Sequence, residues 1–162
     1  MSKIAVIYYS RSGNTRAMAE LISSGAESER GIQVDVIPVE DFPPERALEY
    51  DGLIIGSPTY YGTMSYQIKK FFDDSVAFHG RLSGKVGAAF SSAANVGGGN
   101  ETTITDILNA LLIHGMIIQG SFKGDHYGPV SIGAPDKRVE KQCRDLGRMV
   151  AALVGKVCAK KE

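Results

Sequence analysis

The segment at residues 10–15, with the sequence Ser-Arg-Ser-Gly-Asn-Thr, constrains this chain more than any other feature. It follows an apolar run at residues 4–9 and precedes an amphipathic helical pattern, so a buried strand leads through a short turn into a helix. Free backbone N–H groups and the positive end of the helix dipole make such a turn favourable for an anion. Because the turn offers three hydroxyls and one amide without a lysine, it suits a phosphate monoester better than a diphosphate.

The balance of charge gives no support to two broad classes of function. The 162 residues contain 18 Lys plus Arg and 18 Asp plus Glu, and this zero net charge provides no argument for binding nucleic acid or an anionic membrane. No apolar run approaches the roughly 18 residues of a membrane span. The first residues lack the long apolar region and cleavage site of a signal peptide. We expect a single domain over residues 1–162, located in the cytoplasm.

The cysteines and the C-terminal lysines are predicted to have structural roles. Cys143 and Cys158 lack a metal-binding or redox spacing and fall on the apolar face of the last helical pattern, so buried free thiols are expected. Lys156, Lys160 and Lys161 are expected to be a solvated helix end. No cluster of His, Cys and carboxylate side chains predicts a metal site.

Strand and helix patterns alternate along the chain, and a loop rich in Gly and Pro is predicted at residues 120–135. Strands are predicted at residues 3–9, 33–37, 53–58, 85–90 and 116–118, and helices at residues 14–28, 64–78, 101–115 and 136–157. The third helix is predicted to bury Ile104, Ile107, Leu108, Leu111 and Leu112. This alternation predicts an α/β fold with a doubly wound, five-stranded parallel sheet in the order 2-1-3-4-5 and helices on both faces.

Three loops of this fold are expected to meet over the carboxyl ends of strands 1, 3 and 4. They are residues 10–15, residues 57–63 with the adjacent Tyr60 and Tyr61, and the glycine-rich residues 91–100. A phosphate site beside aromatic and glycine-lined loops implies a ligand with an anion at one end and a flat ring at the other. Flavin mononucleotide (FMN) has that shape.

Several motifs then indicate a known family. The sequence of residues 10–15 resembles the flavodoxin phosphate loop. Residues 56–64, 97–103, 114–116 and the Asp-His-Tyr-Gly-Pro segment at 125–129 resemble the WrbA-type branch of the flavodoxin-like superfamily. That branch comprises FMN-dependent NAD(P)H:quinone oxidoreductases. The resemblance covers nearly the whole chain.

The resemblance implies a set of site residues and partners. Phosphate contacts would come from Ser10, Ser12, Gly13, Asn14 and Thr15, and ring contacts from Pro58, Thr59, Tyr60, Tyr61, Gly62, Ser92, Ala93, Ala94, Asn95, Gly97 and Gly98. His114 and Tyr127 would be catalytic, approaching the ring from the substrate side. NAD(P)H would donate a hydride to FMN, a quinone or similar small molecule would accept two electrons, and a homo-oligomer, either dimer or tetramer, would complete the site. No nucleic acid or membrane partner is implied.

Two finer expectations concern individual groups. The backbone of Thr59 and Tyr60 is expected to donate a hydrogen bond near flavin N5, with Asn95 or the amides of Gly97 and Gly98 near N1 and O2. For His114, a second interpretation is a cation at the end of a helix, which would stabilise the fold by about 0.3–1 kcal/mol.

The chain also departs from the WrbA pattern, and alternatives remain. It has Tyr60-Tyr61 where Arg-Phe is usual and residues 92–95, Ser-Ala-Ala-Asn, where Ser-Thr-Gly-Thr is usual. One alternative is a flavodoxin that carries single electrons, although zero net charge argues against strong electrostatic steering. Another is a non-catalytic FMN-binding protein. The chain has no G-x-G-x-x-G after its first strand, and residues 80–86 lack the hydroxyl and length of a P-loop.

Overall fold

The computed structural model describes residues 1–158, which form one α/β unit of alternating strands and helices. The strands are β1 (Ser2–Tyr8), β2 (Ile32–Pro38), β3 (Gly52–Pro58), β4 (Val86–Ala93), β5 (Ile117–Ile118) and β6 (Val130–Ile132). The helices are α1 (Asn14–Glu27), α2 (Tyr66–Asp74), α3 (Asn100–Ile113) and α4 (Lys137–Cys158), with short 3-10 turns at Val39–Asp41, Pro44–Glu49 and Ser75–Phe78.

The sheet has the predicted order, β2-β1-β3-β4-β5, with every pair parallel. Its central strands are largely apolar because helices cover both faces: Ile4 and Ile7 of β1 and Ile54 of β3 are fully buried. The order reverses between β1 and β3, so a crevice opens at the carboxyl ends of these strands. The predicted fold class is therefore confirmed, and it positions the three loops at one edge.

The fifth strand position is shared by two short strands. Ile117 and Ile118 of β5 pair with Val86 and Gly87, whereas β6 pairs with residues 91–93 of β4. Between them, residues 119–129 leave the sheet. The prediction of an uninterrupted loop at 120–135 was wrong, because β6 is stabilised by pairing with distant residues that its own three-residue pattern does not reveal.

Two hydrophobic layers flank the sheet. Ala5, Ile7 and Leu53 face α2 and α3, and Ile4 and Ile54 face α1 and α4. The α1 and α4 helices approach closely through glycines. A Cβ atom at Gly25 would lie 2.2 Å from the carbonyl oxygen of Arg144, and one at Gly147 would lie 2.0 Å from that of Ile22. Neither position admits a side chain without separating the helices.

Some helix details differ from the sequence prediction. The helix predicted at 64–78 divides into α2 and a 3-10 turn, and Ser65 caps α2 by accepting a hydrogen bond from the N–H of Ile68. Leu112 was predicted to be buried but is 55% exposed. The buried stripe of α3 passes through Ile107 and Leu111, and a residue one position further is rotated by about 100° out of it.

The C-terminal predictions are partly tested. Cys143 is buried, Cys158 is half-buried, and both are free thiols. Burial raises the pKa of the Cys143 thiol to about 12. Lys156 is exposed in the last turn of α4, and Lys160 and Lys161 lie outside the described residues. Within residues 1–158, no helix combines the length and apolar character required to cross a membrane.

Candidate functional site

The turn between β1 and α1 leaves an uncapped helix N-terminus at the crevice. Gly13 occupies the N-cap position with φ 94°, and no side chain caps the helix. The carbonyl of Gly13 accepts the first helical hydrogen bond from Ala17 at 2.9 Å, so the N–H groups of the first turn have no helical partner. Backbone donors at a positive dipole end are what an anionic phosphate group requires. Glycine is needed here because φ is positive.

The side chains of this turn divide into two groups. Ser12 is exposed, and Asn14 is half-buried. Ser10 Oγ accepts a hydrogen bond from the N–H of Gly13 at 3.1 Å, which shapes the turn. Thr15 is buried, and its Oγ1 lies 2.8 Å from Ser92 Oγ. The Thr15 hydroxyl therefore connects the first loop to the third.

The second loop ends in a tight turn that presents two tyrosines. Tyr60 and Thr63 exchange backbone hydrogen bonds of 3.0 and 3.1 Å, and both central residues have positive φ, 50° at Tyr61 and 78° at Gly62. These values are those of a type I′ turn, in which a tyrosine is unusual. The Tyr61 side chain is fully exposed. The Tyr60 ring meets Tyr9 edge to face at 6.4 Å, and burial raises the pKa of Tyr60.

The amides of Thr59 and Tyr60 are already used inside the protein. Thr59 donates to the carbonyl of Ser92 at 2.7 Å, and Tyr60 donates to the carbonyl of Thr63. In this conformation both N–H groups have acceptors inside the protein, and the expectation that they donate near flavin N5 stays a prediction. The Tyr60 hydrogen bond belongs to the antiparallel bridge between Tyr60 and Thr63, and the Thr59 hydrogen bond connects the second loop to the end of β4. Neither was evident from the segment 57–63 alone.

The second and third loops are in direct contact through glycines. Gly99 has φ 102°, and a Cβ atom there would lie 2.5 Å from the Cα of Gly62. The hydroxyl of Thr102 donates to the carbonyl of Gly62. Any side chain at Gly99 would push the two loops apart, so glycine at this position maintains the spacing between them.

A second set of hydroxyl groups connects the second and third loops. Thr103 is fully buried at the start of α3, and its Oγ1 lies 3.0 Å from that of Thr59. Thr59 Oγ1 in turn lies 3.1 Å from Ser91 Oγ. Sequence reasoning missed Thr103 because its signal, a threonine four residues after a glycine at a helix start, is weak on its own.

The exposed part of the third loop carries the remaining predicted ring contacts. Ala94, Asn95, Gly97 and Gly98 are exposed, and the N–H of Gly98 donates to the carbonyl of Asn95 at 3.1 Å. Ser92 is buried and Ala93 half-buried at the end of β4, and Pro58 is half-buried at the end of β3. The structure thus brings all the predicted phosphate and ring residues to one edge of the sheet.

His114 does not belong to this edge. It follows the C-terminal end of α3, whose 14 residues span about 20 Å from the third loop. Ser75 Oγ donates to the carbonyl of Phe72 at 2.7 Å, so His114 Nε2 must donate to Ser75 Oγ, also at 2.7 Å. Its Nδ1 is buried without a partner in residues 1–158, and the ring stacks on Phe78.

These contacts change the interpretation of His114. Burial, followed by the charge of nearby His79, lowers the pKa of His114. Burial and the lowered pKa both disfavour the charged form of His114, which argues against the alternative of a stabilising cation at the helix end. His114 lies about 20 Å along α3 from the third loop, and it lines a groove of about 730 Å³ together with Thr63 of the second loop. Its predicted catalytic role stays a prediction.

Tyr127 lies outside the three loops, on the segment 119–129. Its side chain is 57% exposed. Together with Glu101 and Ile104 of α3 it lines a small cavity of about 180 Å³ near the start of that helix. A role for Tyr127 in substrate contact stays a prediction.

An uncapped helix N-terminus beside two tyrosines and a glycine-lined loop, at the switch point of a doubly wound sheet, defines a mononucleotide site of the flavodoxin type. The sequence profile of the Flavodoxin family matches residues 6–110. This chain belongs to the flavodoxin family.

Individual relatives carry two kinds of name. A flavodoxin of Aquifex aeolicus is 42% identical over 162 residues, covering 95% of this chain and 88% of the relative. An NAD(P)H dehydrogenase (quinone) of Archaeoglobus fulgidus is 35% identical over 192 residues, covering 98% of this chain and all of the relative. The WrbA-like flavodoxin structure from Agrobacterium tumefaciens superposes with a TM-score of 0.79 at 26% identity, covering 96% of this chain and 99% of that one.

The residues present fit FMN, the cofactor that the family implies. The uncapped turn at Gly13 supplies donors for a phosphate, and the exposed Tyr60 and Tyr61 supply aromatic surface. Asn100 Oδ1, at the base of the third loop, is buried and has no hydrogen-bond partner within residues 1–158, which leaves a polar acceptor beside the site. None of the hydrogen-bond donors at this turn would prevent a phosphate from binding in its monoanionic or dianionic form.

Proposed function

We propose that this protein is an FMN-dependent electron-transfer protein that exchanges single electrons with protein partners, as a flavodoxin does. The observation that carries this proposal is the composition of the three loops. Arg11 is the one cationic residue in residues 10–15, 57–63 and 91–100. A nicotinamide dinucleotide brings a diphosphate that needs cationic or helix N-terminal donors. The helix N-terminus at Gly13 would already be occupied by the FMN phosphate.

The identities of the relatives support the same proposal. The Aquifex aeolicus flavodoxin is 42% identical to this chain, and the Archaeoglobus fulgidus quinone dehydrogenase is 35% identical. The second alignment runs over 192 positions and covers all of that relative, which therefore has segments that this chain lacks. A site that needs those segments to hold a second substrate would be incomplete here.

In this proposal the protein holds and positions FMN, and the bound FMN supplies the redox chemistry. The N–H groups at the start of α1 and the side chain of Ser12 would bind the phosphate. Tyr60 and Tyr61 would contact the ring, and the amides of the third loop would donate to its polar atoms. The contact between Gly62 and Gly99 fixes the distance between the two loops that would flank the ring.

A second candidate is a two-electron NAD(P)H:quinone reductase, in which NAD(P)H is the donor and a quinone the acceptor. The relatives named NAD(P)H dehydrogenase (quinone), including the one from Archaeoglobus fulgidus, favour this function. So does the fully exposed Tyr61, since an exposed ring beside FMN leaves room for a small substrate or for a second subunit. Tyr127, and His114 from a neighbouring subunit, would then contribute to the site.

A steady-state assay separates the two candidates. The purified protein is loaded with FMN and mixed anaerobically with NADH or NADPH, and benzoquinone is then added. The carrier function predicts that neither nicotinamide bleaches the flavin at a rate above that of free FMN. Rapid bleaching followed by reoxidation with benzoquinone would instead establish the reductase.

A further inference from the structure

A cavity of about 350 Å³ lies at the edge of the sheet beneath residues 119–129. It shares no lining residue with the three loops of the FMN site. Its apolar walls come from four elements: Ala88 of β4, Leu108 of α3, Ile118 of β5, and Leu146 and Met149 of α4. The volume falls at the lower end of the range for small-molecule sites.

The cavity exists because the fifth strand is interrupted. β5 ends at Ile118, and the next strand begins at Val130. In the described part of the chain, residues 88–90 of β4 therefore have no paired strand on this side. The chain leaves the sheet after Ile118 and returns to β4 at Gly128, where an added Cβ atom would lie 2.1 Å from the carbonyl oxygen of Ala89. We refer to residues 119–129 as the roof.

The roof is held in place by hydrogen bonds from its centre. Arg138 Nη1 donates to both carboxylate oxygens of Asp125 at 3.0 Å, and the N–H of Val130 donates to Asp125 Oδ2 at 3.0 Å. The N–H of Asp125 donates to Gln142 Oε1 at 3.3 Å. Within the roof, the N–H of Ser121 donates to the carbonyl of His126. These hydrogen bonds connect the roof to α4 and β6.

The charges around the cavity leave one cation unpaired. Lys141 Nζ lies 2.6 Å from Asp145, and Asp125 is paired with Arg138, so these lining charges are neutralised. Lys123, which also lines the cavity, forms no ion pair with any residue in 1–158, and its Nζ lies 5.2 Å from the centroid of the Phe122 ring. The net unpaired charge at the cavity is positive.

We propose that this cavity binds a small aromatic carboxylate. The flat ring would lie between Leu108 and Met149, where a thioether and branched apolar side chains favour an aromatic partner. The carboxylate would face Lys123, and the side-chain amide of Gln142, whose oxygen is used by Asp125, has its N–H groups left to donate. The proposal does not depend on which electron-transfer function the FMN site has.

The test uses the full-length, FMN-loaded protein and 1-naphthoate as the probe. Chemical shifts of ¹⁵N-labelled backbone and side-chain amides are followed as 1-naphthoate is added, with neutral 1-naphthylmethanol as the comparison. The proposal predicts saturable shifts in the roof, around Met149 and in the side-chain amide of Gln142. It also predicts weaker binding of the neutral alcohol.

A pair of lysine variants tests the charge. Lys123→Met removes the unpaired cation from an exposed position and should weaken 1-naphthoate binding roughly threefold to fivefold, as expected for an exposed charge pair. Lys69→Met on α2 removes a lysine paired with Asp73 and should leave the affinity unchanged. The proposal is overturned if the shifts fall on the three loops instead, if no saturation occurs, or if Lys123→Met binds like the wild type.

Discussion

Thr15 and Ser92, which are 77 positions apart in the sequence, share a buried hydrogen bond of 2.8 Å between their side-chain oxygens. Thr15 lies in the first turn of α1, where a phosphate would bind, and Ser92 lies at the end of β4, where the loop beside the flavin ring begins. The bond joins the two halves of the site before any cofactor is bound. It is a structural element of the site that the sequence pattern did not reveal.

Removing one partner of this pair should destabilise the protein. Ser92→Ala leaves the buried Thr15 hydroxyl without a partner, and we expect the free energy of unfolding of the apoprotein to fall by about 1–2 kcal/mol. Urea unfolding followed by circular dichroism measures this. The double variant Thr15→Val/Ser92→Ala should recover part of the loss, because no buried polar group then remains unpaired.

Ser12→Ala provides a contrasting variant in the same turn. Because Ser12 is exposed, its substitution should leave the free energy of unfolding unchanged within about 0.5 kcal/mol while weakening FMN binding. If Ser12→Ala and Ser92→Ala changed stability equally, the distinction between an outward and a buried hydroxyl would be wrong.

Gly99→Ala should separate the second and third loops. Its Cβ atom would lie 2.5 Å from the Cα of Gly62, closer than unbonded carbon atoms approach, and φ there is 102°. We expect FMN affinity to fall at least tenfold. Gly31→Ala, just before β2 and outside the three loops, is the control, since φ is also positive, at 78°, and nothing lies within 4 Å. That variant should show only the backbone strain, about 1–2 kcal/mol. Equal loss of FMN affinity in both variants would contradict this account.

Acid should destabilise the protein through His114. Burial lowers the pKa of His114 in the folded state below its ordinary value of 6.5. At pH values between these two pKa values, His114 is protonated in the unfolded chain but not in the folded chain. The free energy of unfolding therefore falls as the pH drops below 6.5, and this loss ends at the pKa of the folded state. Denaturant unfolding at a series of pH values measures the slope.

A histidine variant tests whether His114 causes this pH dependence of the free energy of unfolding. His114→Gln retains a donor to Ser75 but cannot titrate, and it should flatten the pH dependence just below 6.5 without changing the absorption spectrum of bound FMN. His126→Gln, at an exposed position, should retain the wild-type slope. A spectrum altered by His114→Gln would contradict the placement of His114 away from the three loops.

The Asp125 hydrogen bonds should control the mobility of the roof. Asp125→Ala removes the acceptor for Arg138 and for the N–H of Val130, so amide hydrogen exchange should accelerate across residues 119–132. Exchange in β1 and β3 should not change. Asp73→Ala, which breaks an exposed pair with Lys69, is the control and should have no effect on the roof. Slow exchange throughout the roof of Asp125→Ala would show that other contacts hold it.

The fold was predictable from the sequence because strand and helix patterns alternate several times along the chain. Apolar runs such as residues 4–7 and 53–55 are continuous because both faces of the sheet are covered, and the phosphate turn marks strand 1 in the order. Short elements were not predictable in the same way. β6 has three residues and forms only through its pairing with residues 91–93. The exposure of Leu112 depends on which residues of α3 form its buried face.

The site was predictable at the level of loops and less so at the level of atoms. The three loops meet as expected, because the carboxyl ends of neighbouring parallel strands share an edge. Which groups face a ligand depends on contacts between loops: Thr15 faces Ser92, and Thr59 and Tyr60 use their amides within the protein. His114 was assigned to the site by resemblance, whereas the structure places it at the C-terminal end of α3, about 20 Å along that helix from the third loop.

The most direct test of the proposed function is an anaerobic reductive titration of the protein with FMN bound, followed by its visible spectrum. A carrier of single electrons must hold the singly reduced flavin, so its two one-electron potentials are well separated. The account predicts that FMN binds with one equivalent per chain and that the radical form of the flavin accumulates near the midpoint. Direct passage from oxidised to fully reduced flavin, or failure to bind FMN, would contradict it.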